Sequence, residues 1–275
     1  MSTAAIDLLQ QRYGLAAETR PAVITNAITT ALFSHRSVRA YLDKPLPDNT
    51  LETLLAAAQS AASSSNLQPW SLLAVEDPER KARLAALAGN QTHIRQAPLF
   101  LVWLADFSRI QRQADQQGVE LQALGYLDSF LVGSVDAALA AQNAVVAAES
   151  LGLGTVYIGA LRNNLREVIE ELHLPPLVYP VFGLTVGYPD PDKPTAIKPR
   201  LPQAVVLHRE TYSAPATEAQ SIQDYDRSIA AFYQQQGLAS ANWSSQTFQR
   251  LNKVAALHGR ERIGQVLKEQ QFDLL

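Results

Sequence analysis

The sequence predicts an α+β sandwich more than a doubly wound sheet. Three observations predict it. Helix-period and strand-period segments alternate, but without the steady βα rhythm of a doubly wound sheet. Residues 121–151, LQALGYLDSFLVGSVDAALAAQNAVVAAESL, are apolar nearly all round, the mark of a helix packed on several sides. The glycine-bearing stretch GLGTVYIGA, 152–160, follows a helix and precedes a strand. A dinucleotide fingerprint needs the opposite order of strand, glycines, helix.

Taken in order, residues 4–13 carry Ile6, Leu9 and Tyr13 at helical spacing, and a short helix is expected over 24–33. PDNTLETLLAAAQSA is a strong helix with a stripe of Leu51, Leu54, Leu55 and Ala58, and either Asp48 or Asn49 can cap it. It stops at SSSNLQP, where Pro69 forces an extended approach. WSLLAVE reads as a strand, DPERKARLAALAG as a helix with proline at its start, and PLFLVWLAD as a buried strand. The 121–151 helix would be about 45 Å long at about 1.5 Å per residue. TVYIG is a strand, NNLREVIEELHLP a helix, VYPVFGLTVGYP a strand and AVVLHRETY another. Helices follow at roughly 217–236 and 244–271. No linker splits the chain, so a single domain over 1–275 is expected, with a core of about 30–210 and a helical extension of about 217–275.

Composition narrows the function. The 275 residues suffice for a sizeable core, and 47% hydrophobic against 18% charged residues reads as globular. A net charge of −3 gives no general field for nucleic acid, so any anion site must be local. Zero cysteines exclude disulfides, thiolate nucleophiles and iron–sulfur clusters, and fit a reducing, cytoplasmic setting. The first residues, MSTAAIDLLQQRYG, lack the basic start of a signal peptide. No run is expected to reach the ~18 apolar residues of a membrane span. The histidines at 35, 93, 173, 208 and 258 never stand four apart, so no helical metal pair is expected. Neither a Walker A nor a G-x-S-x-G motif occurs.

Four stretches can carry chemistry. HRSVR, from His35 to Arg39, is either a solvated basic turn or one wall of an anion site. SAASSSNLQPW is a helix end in solvent, or a set of short donors from Ser63, Ser64, Ser65 and Asn66. Gly159, after the TVYI strand, would let a ligand approach the backbone closely. In IKPRLP, Pro199 biases Lys198 toward extended backbone, so Lys198 and Arg200 can point the same way and grip one phosphate. A basic surface loop is the plain alternative.

Together these stretches resemble the nitroreductase-like flavoproteins, especially the oxygen-insensitive nitroreductase and FMN reductase group. Over roughly residues 30–235 the carriers are HRSVRAYLDKPLP, AAQSAASSSNLQPWS, LAGNQTHIRQAPLFLVWLADFSR, DAALAAQNAVVAAESLGLGTVYIGALRNNL, FGLTVGYP and KPRLP, in the family's order. The resemblance implies a homodimeric α+β three-layer sandwich, with helices around a central, mostly antiparallel sheet, and non-covalent FMN. It implies that His35, Arg36, Ser37 and Arg39 bind FMN, with His35, Arg36, Lys198 and Arg200 at its phosphate. Arg39 and Gln91 would sit at the pyrimidine end, and Tyr157, Ile158, Gly159 and Ala160 along the ring. Family members often carry a second glycine where this chain has Ala160. Ser63, Ser64 and Ser65 would come from the other subunit. The implied activity is two-electron, ping-pong hydride transfer from NADPH or NADH to a nitroaromatic, a quinone or free flavin. A flavin oxidoreductase for a single metabolite, or a non-catalytic flavin-binding protein, is the alternative. NADPH-specific relatives carry arginines in and after a Y-x-x-R-G run. Here Gln236 precedes Gly237, and Leu238–Asn242 holds no basic residue, which implies at most a weak NADPH preference. Arg162, Arg166 and Arg227 are other cations that could supply the charge.

Overall fold

The computed structural model describes residues 3–14 and 23–275. In chain order the helices are α1 (Thr3–Tyr13), α2 (Ala27–Phe33), α3 (Thr50–Gln59), α4 (Pro78–Leu87), α5 (Thr92–Gln96) and α6 (Ser108–Gln117). They continue with α7 (Leu127–Ser150), α8 (Leu165–Glu171), α9 (Gln203–Val206), α10 (Glu218–Gln235), α11 (Trp243–Leu251) and α12 (Ile263–Glu269). The strands are β1 (Trp70–Val75), β2 (Leu99–Asp106), β3 (Gly154–Ile158) and β4 (Val178–Gly187). Two compact units result, one of Met1–Arg36 with Pro194–Ala256, the other of Ser37–Lys193 with Leu257–Leu275.

The second unit holds the sheet, in the order β1-β2-β4-β3 with antiparallel pairs. β2 is buried along its whole length. Its side chains alternate between two cores, as a strand's period of two requires. Phe100, Val102 and Leu104 join Leu84, Ile94, Leu161 and Val168 on one face. Leu99, Leu101 and Trp103 join Leu54, Ala140, Ala144 and Val145 on the other. Helices α4, α5 and α8 therefore cover one face and α3 and α7 the other, giving three layers. A Cβ at Gly183 would collide with the Phe100 ring, so glycine lets β4 close on β2.

α7 is shorter than the sequence suggests. It begins at Leu127, after a 3₁₀ turn over Gln122–Gly125, because Tyr126 takes extended backbone. The chain end is tied to this corner: Leu127 N–H donates to the Leu275 carbonyl at 3.2 Å, and Leu275 N–H to Gly125 at 3.2 Å. Contrary to expectation, α7 is long and apolar enough, by length and composition, to cross a membrane. Packing accounts for that composition on one face, where Ala137, Ala140, Ala141, Ala144 and Ala148 are buried. On another face Leu127, Leu131, Val135 and Leu139, four residues apart, are 45%, 49%, 55% and 43% exposed.

In the first unit, α1 buries Leu9, whereas the side chain of Ile6 lies outside the described residues. Gly14, at φ +61°, ends α1 with its N–H on the Gln10 carbonyl at 2.8 Å. Asn26 closes α2 with a full capping box. α10 buries Tyr225 and Ile229, and the Tyr225 hydroxyl donates to the Pro199 carbonyl at 3.1 Å.

Several expected elements differ. Residues 204–212 do not form a strand: Gln203–Val206 is the short helix α9, and the described residues of this unit offer no strand for pairing. The expected 244–271 helix breaks after Leu251 into 3₁₀ turns and α12, with Gly259 at φ +93° in the gap. α5 and α6 occur where no helix is expected. Asn49 is the N-cap of α3, but it sits in the left-handed region and makes no side-chain cap bond.

Candidate FMN site

The first unit holds four of the predicted residues. His35 and Arg36 follow α2, and Lys198 and Arg200 lie on the extended KPR run. One side chain gathers the two segments. The Arg12 guanidinium, in the last turn of α1, donates to the carbonyls of Phe33 at 3.1 Å, His35 at 2.8 Å and Lys198 at 3.0 Å. Arg200 N–H in turn donates to the Arg12 carbonyl at 2.8 Å. Lys198 is exposed, with Nζ 2.7 Å from the Tyr233 hydroxyl and 4.8 Å from that ring's centre. Arg200 folds Nη1 back onto the Lys198 and Pro199 carbonyls at 3.2 and 3.3 Å. Arg36 is exposed, with Nη1 3.5 Å from the Ser34 carbonyl. These cations are the right donor set for a phosphomonoester, which carries close to two negative charges.

The second unit holds the remainder. Ser37 forms a parallel bridge to Thr155 of β3, and Val38 N–H donates to the Thr155 carbonyl at 2.9 Å. Buried Tyr41 fixes the next turn, its hydroxyl 2.8 Å from the Val38 carbonyl and 2.7 Å from Thr185 Oγ1. Burial pushes that phenol well above its ordinary value. Arg39 is exposed and near enough to His93 to depress its basicity, after burial, which is the larger cause. Gln91 is the N-cap residue of α5, the helix that carries His93, so Arg39 and the Gln91 turn share a neighbourhood. Tyr157 stands at the end of β3, its hydroxyl 3.3 Å from Gln142 Oε1 and its ring edge-on to Phe182 at 5.0 Å. Ile158 and Ala160 are buried. Gly159 opens a 3₁₀ turn over Gly159–Asn164, and a Cβ there would meet only the Arg162 side chain, at 3.4 Å.

The serine loop is anchored from below. Ser63 Oγ donates to Asp136 Oδ2 at 2.6 Å and accepts from Gln68 N–H at 2.9 Å, while Ser64 N–H donates to Asp136 Oδ1 at 3.2 Å. Asp136 is buried in the middle of α7. Ser64 and Ser65 are exposed. Ser65, Asn66 and Gln68 have φ of +49°, +53° and +51°, left-handed conformations that cost non-glycine residues energy.

Two residues the sequence analysis did not single out hold these segments, one in each unit. Asp136 had a signal, a carboxylate in the middle of an otherwise apolar stretch. Arg12 had none, since its partners are carbonyls remote in sequence.

Comparison with known proteins gives the family. Residues 32–188 match the Nitroreductase family model, and residues 198–275 match the model of the family's C-terminal domain. The chain belongs to the nitroreductase family. It is 41% identical over 250 residues to an FMN reductase [NAD(P)H] of Bacillus subtilis, covering 90% of this chain and 98% of that one. It is 44% identical over 207 residues to an oxygen-insensitive NADPH nitroreductase of Salmonella typhimurium, covering 75% and 82%. Among solved structures it superposes on the hypothetical oxidoreductase YcnD from Bacillus subtilis with a TM-score of 0.85 and 39% identity, over 91% of this chain and 99% of that one.

Proposed function

We propose that the chain is an FMN-dependent NAD(P)H oxidoreductase acting as a cytoplasmic homodimer on nitroaromatics, quinones or free flavin. The observation that carries this reading is the convergence of the His35–Arg36 and Lys198–Arg200 segments, held by a shared knot of hydrogen bonds. When bound, FMN supplies the hydride chemistry: it takes two electrons from a reduced nicotinamide and passes them to the acceptor. The protein contributes seats and fields. His35, Arg36, Lys198 and Arg200 hold the phosphate. Lys198 spends one of its three donors on Tyr233, which orients the ammonium and leaves two for an anion. Ser37 binds the flavin, and Arg39 and Gln91 hold the pyrimidine end, where the Arg39 charge favours the reduced, anionic form of the ring. The Tyr157–Ala160 segment lies along the ring. No protein side chain is needed as nucleophile or metal ligand.

Two features support the homodimer with shared sites. The exposed stripe of Leu127, Leu131, Val135 and Leu139 is a contiguous apolar surface of the kind a partner covers. The Ser63–Ser65 loop is tied to Asp136 of the same helix, and Ser64 and Ser65 are exposed, which leaves them open to a partner. The test is NAD(P)H oxidation by the FMN-loaded protein with each acceptor class. Turnover that needs both FMN and acceptor is expected. A loaded protein that leaves NADPH and NADH unoxidised with every acceptor would contradict the reading.

A further inference from the structure

α1 lies outside the residues matched by the two family models, 32–188 and 198–275. Yet Arg12 of this helix makes the contacts that join the two halves of the cation cluster. Its Nη2 donates to the carbonyls of Phe33 and His35, and its Nη1 to that of Lys198. Its own carbonyl accepts from Arg200 N–H. Backbone segments 163 residues apart, at His35 and Lys198, are thereby fixed to one rigid planar group. The guanidinium also occupies three carbonyl oxygens whose negative ends would otherwise oppose a nearby anion.

We propose that Arg12 is a positioning residue for the phosphate seat: it does not touch the anion but sets the spacing of the two backbone segments that carry the His35, Arg36, Lys198 and Arg200 side chains that do. Helix α1 is then a clamp for cofactor phosphate carried on a segment beyond the family match. This inference rests on the FMN reading above. It makes a demand that a merely stabilising contact would not: loss of Arg12 must weaken ligands that carry the phosphate and spare those that lack it.

The experiment measures the dissociation constants of FMN and riboflavin by fluorescence quenching of the apoprotein, for the wild type, Arg12→Gln and Arg12→Lys. Thermal unfolding of each apoprotein checks that it is folded. Arg12→Gln should weaken FMN by about tenfold or more, the scale of one lost charge-assisted hydrogen bond, and riboflavin by less than about threefold. Arg12→Lys, which keeps the charge but not the fork, should fall between. If Arg12→Gln does not fold, a selective loss of FMN affinity in Arg12→Lys is the expected result, and no loss overturns the inference. Equal weakening of both ligands, or none of either, overturns the positioning role. A wild type that binds riboflavin as tightly as FMN fails differently, because it removes the phosphate seat itself.

Discussion

Lys198 and Arg200 reach the surface from one extended run, but their side chains are held in different ways, one by the Tyr233 hydroxyl and the other by neighbouring carbonyls. The shared role proposed for them at the phosphate is therefore best tested by removing both. Charge-assisted hydrogen bonds contribute about 1.5–3 kcal/mol each. Lys198→Ala/Arg200→Ala should weaken FMN by roughly two to four orders of magnitude and riboflavin far less. Equal losses, measured by titration, would place these residues away from the phosphate. A second residue-scale effect belongs to His93. Burial, then the Arg39 charge, hold its imidazole below the ordinary value of 6.5. As pH falls below that value the unfolded chain takes up this proton before the folded one does. The stability present above about pH 6.5 is therefore lost as pH falls toward the folded value. His93→Gln should flatten that limb of the stability–pH curve in denaturant titrations, and an unchanged limb would contradict the assignment.

At the scale of elements, α7 has two apolar faces with different fates. The alanine face is spent on the sheet, and the Leu127–Leu139 stripe is left exposed. Val135→Glu with Leu131→Glu should convert a dimer to a folded monomer in sedimentation equilibrium and weaken FMN by removing the partner's serines. A double variant that remains dimeric would place the interface elsewhere. The same helix shows what a sequence can disclose. Its all-round apolar character was legible because it is long, and β2 and β4 were legible because both faces are covered, which leaves continuous apolar runs. α6 was not, because SRIQRQADQQ is mostly polar and follows directly on a strand. The 204–212 stretch has strand composition without a strand partner among the described residues of its own unit, and α9 forms there instead. Pairing is a tertiary property that local pattern does not encode.

For the whole molecule, the choice of nicotinamide follows from where cations are already committed. Gln236 ends α10, Gly237 turns at φ +65°, and Leu238–Asn242 brings no charge. The three arginines that could substitute are engaged: Arg162 with the Val181 carbonyl, Arg166 with Glu269 at 2.6 Å, and Arg227 with Asp224. kcat/KM for NADPH and NADH should therefore differ by less than about a hundredfold, or roughly 2.7 kcal/mol. A larger NADPH preference would show that another cation reaches the 2′-phosphate. Most of the candidate site was legible because its cations and glycines stand in short runs. The carbonyl knot around Arg12 was not, since backbone acceptors leave no mark on residue identity. The most direct measurement is flavin content. Protein purified in the dark and heated should release one FMN per chain, and apoprotein should take it up again with a single Kd well below that for riboflavin. A colourless protein whose apo form binds no added FMN would contradict the account.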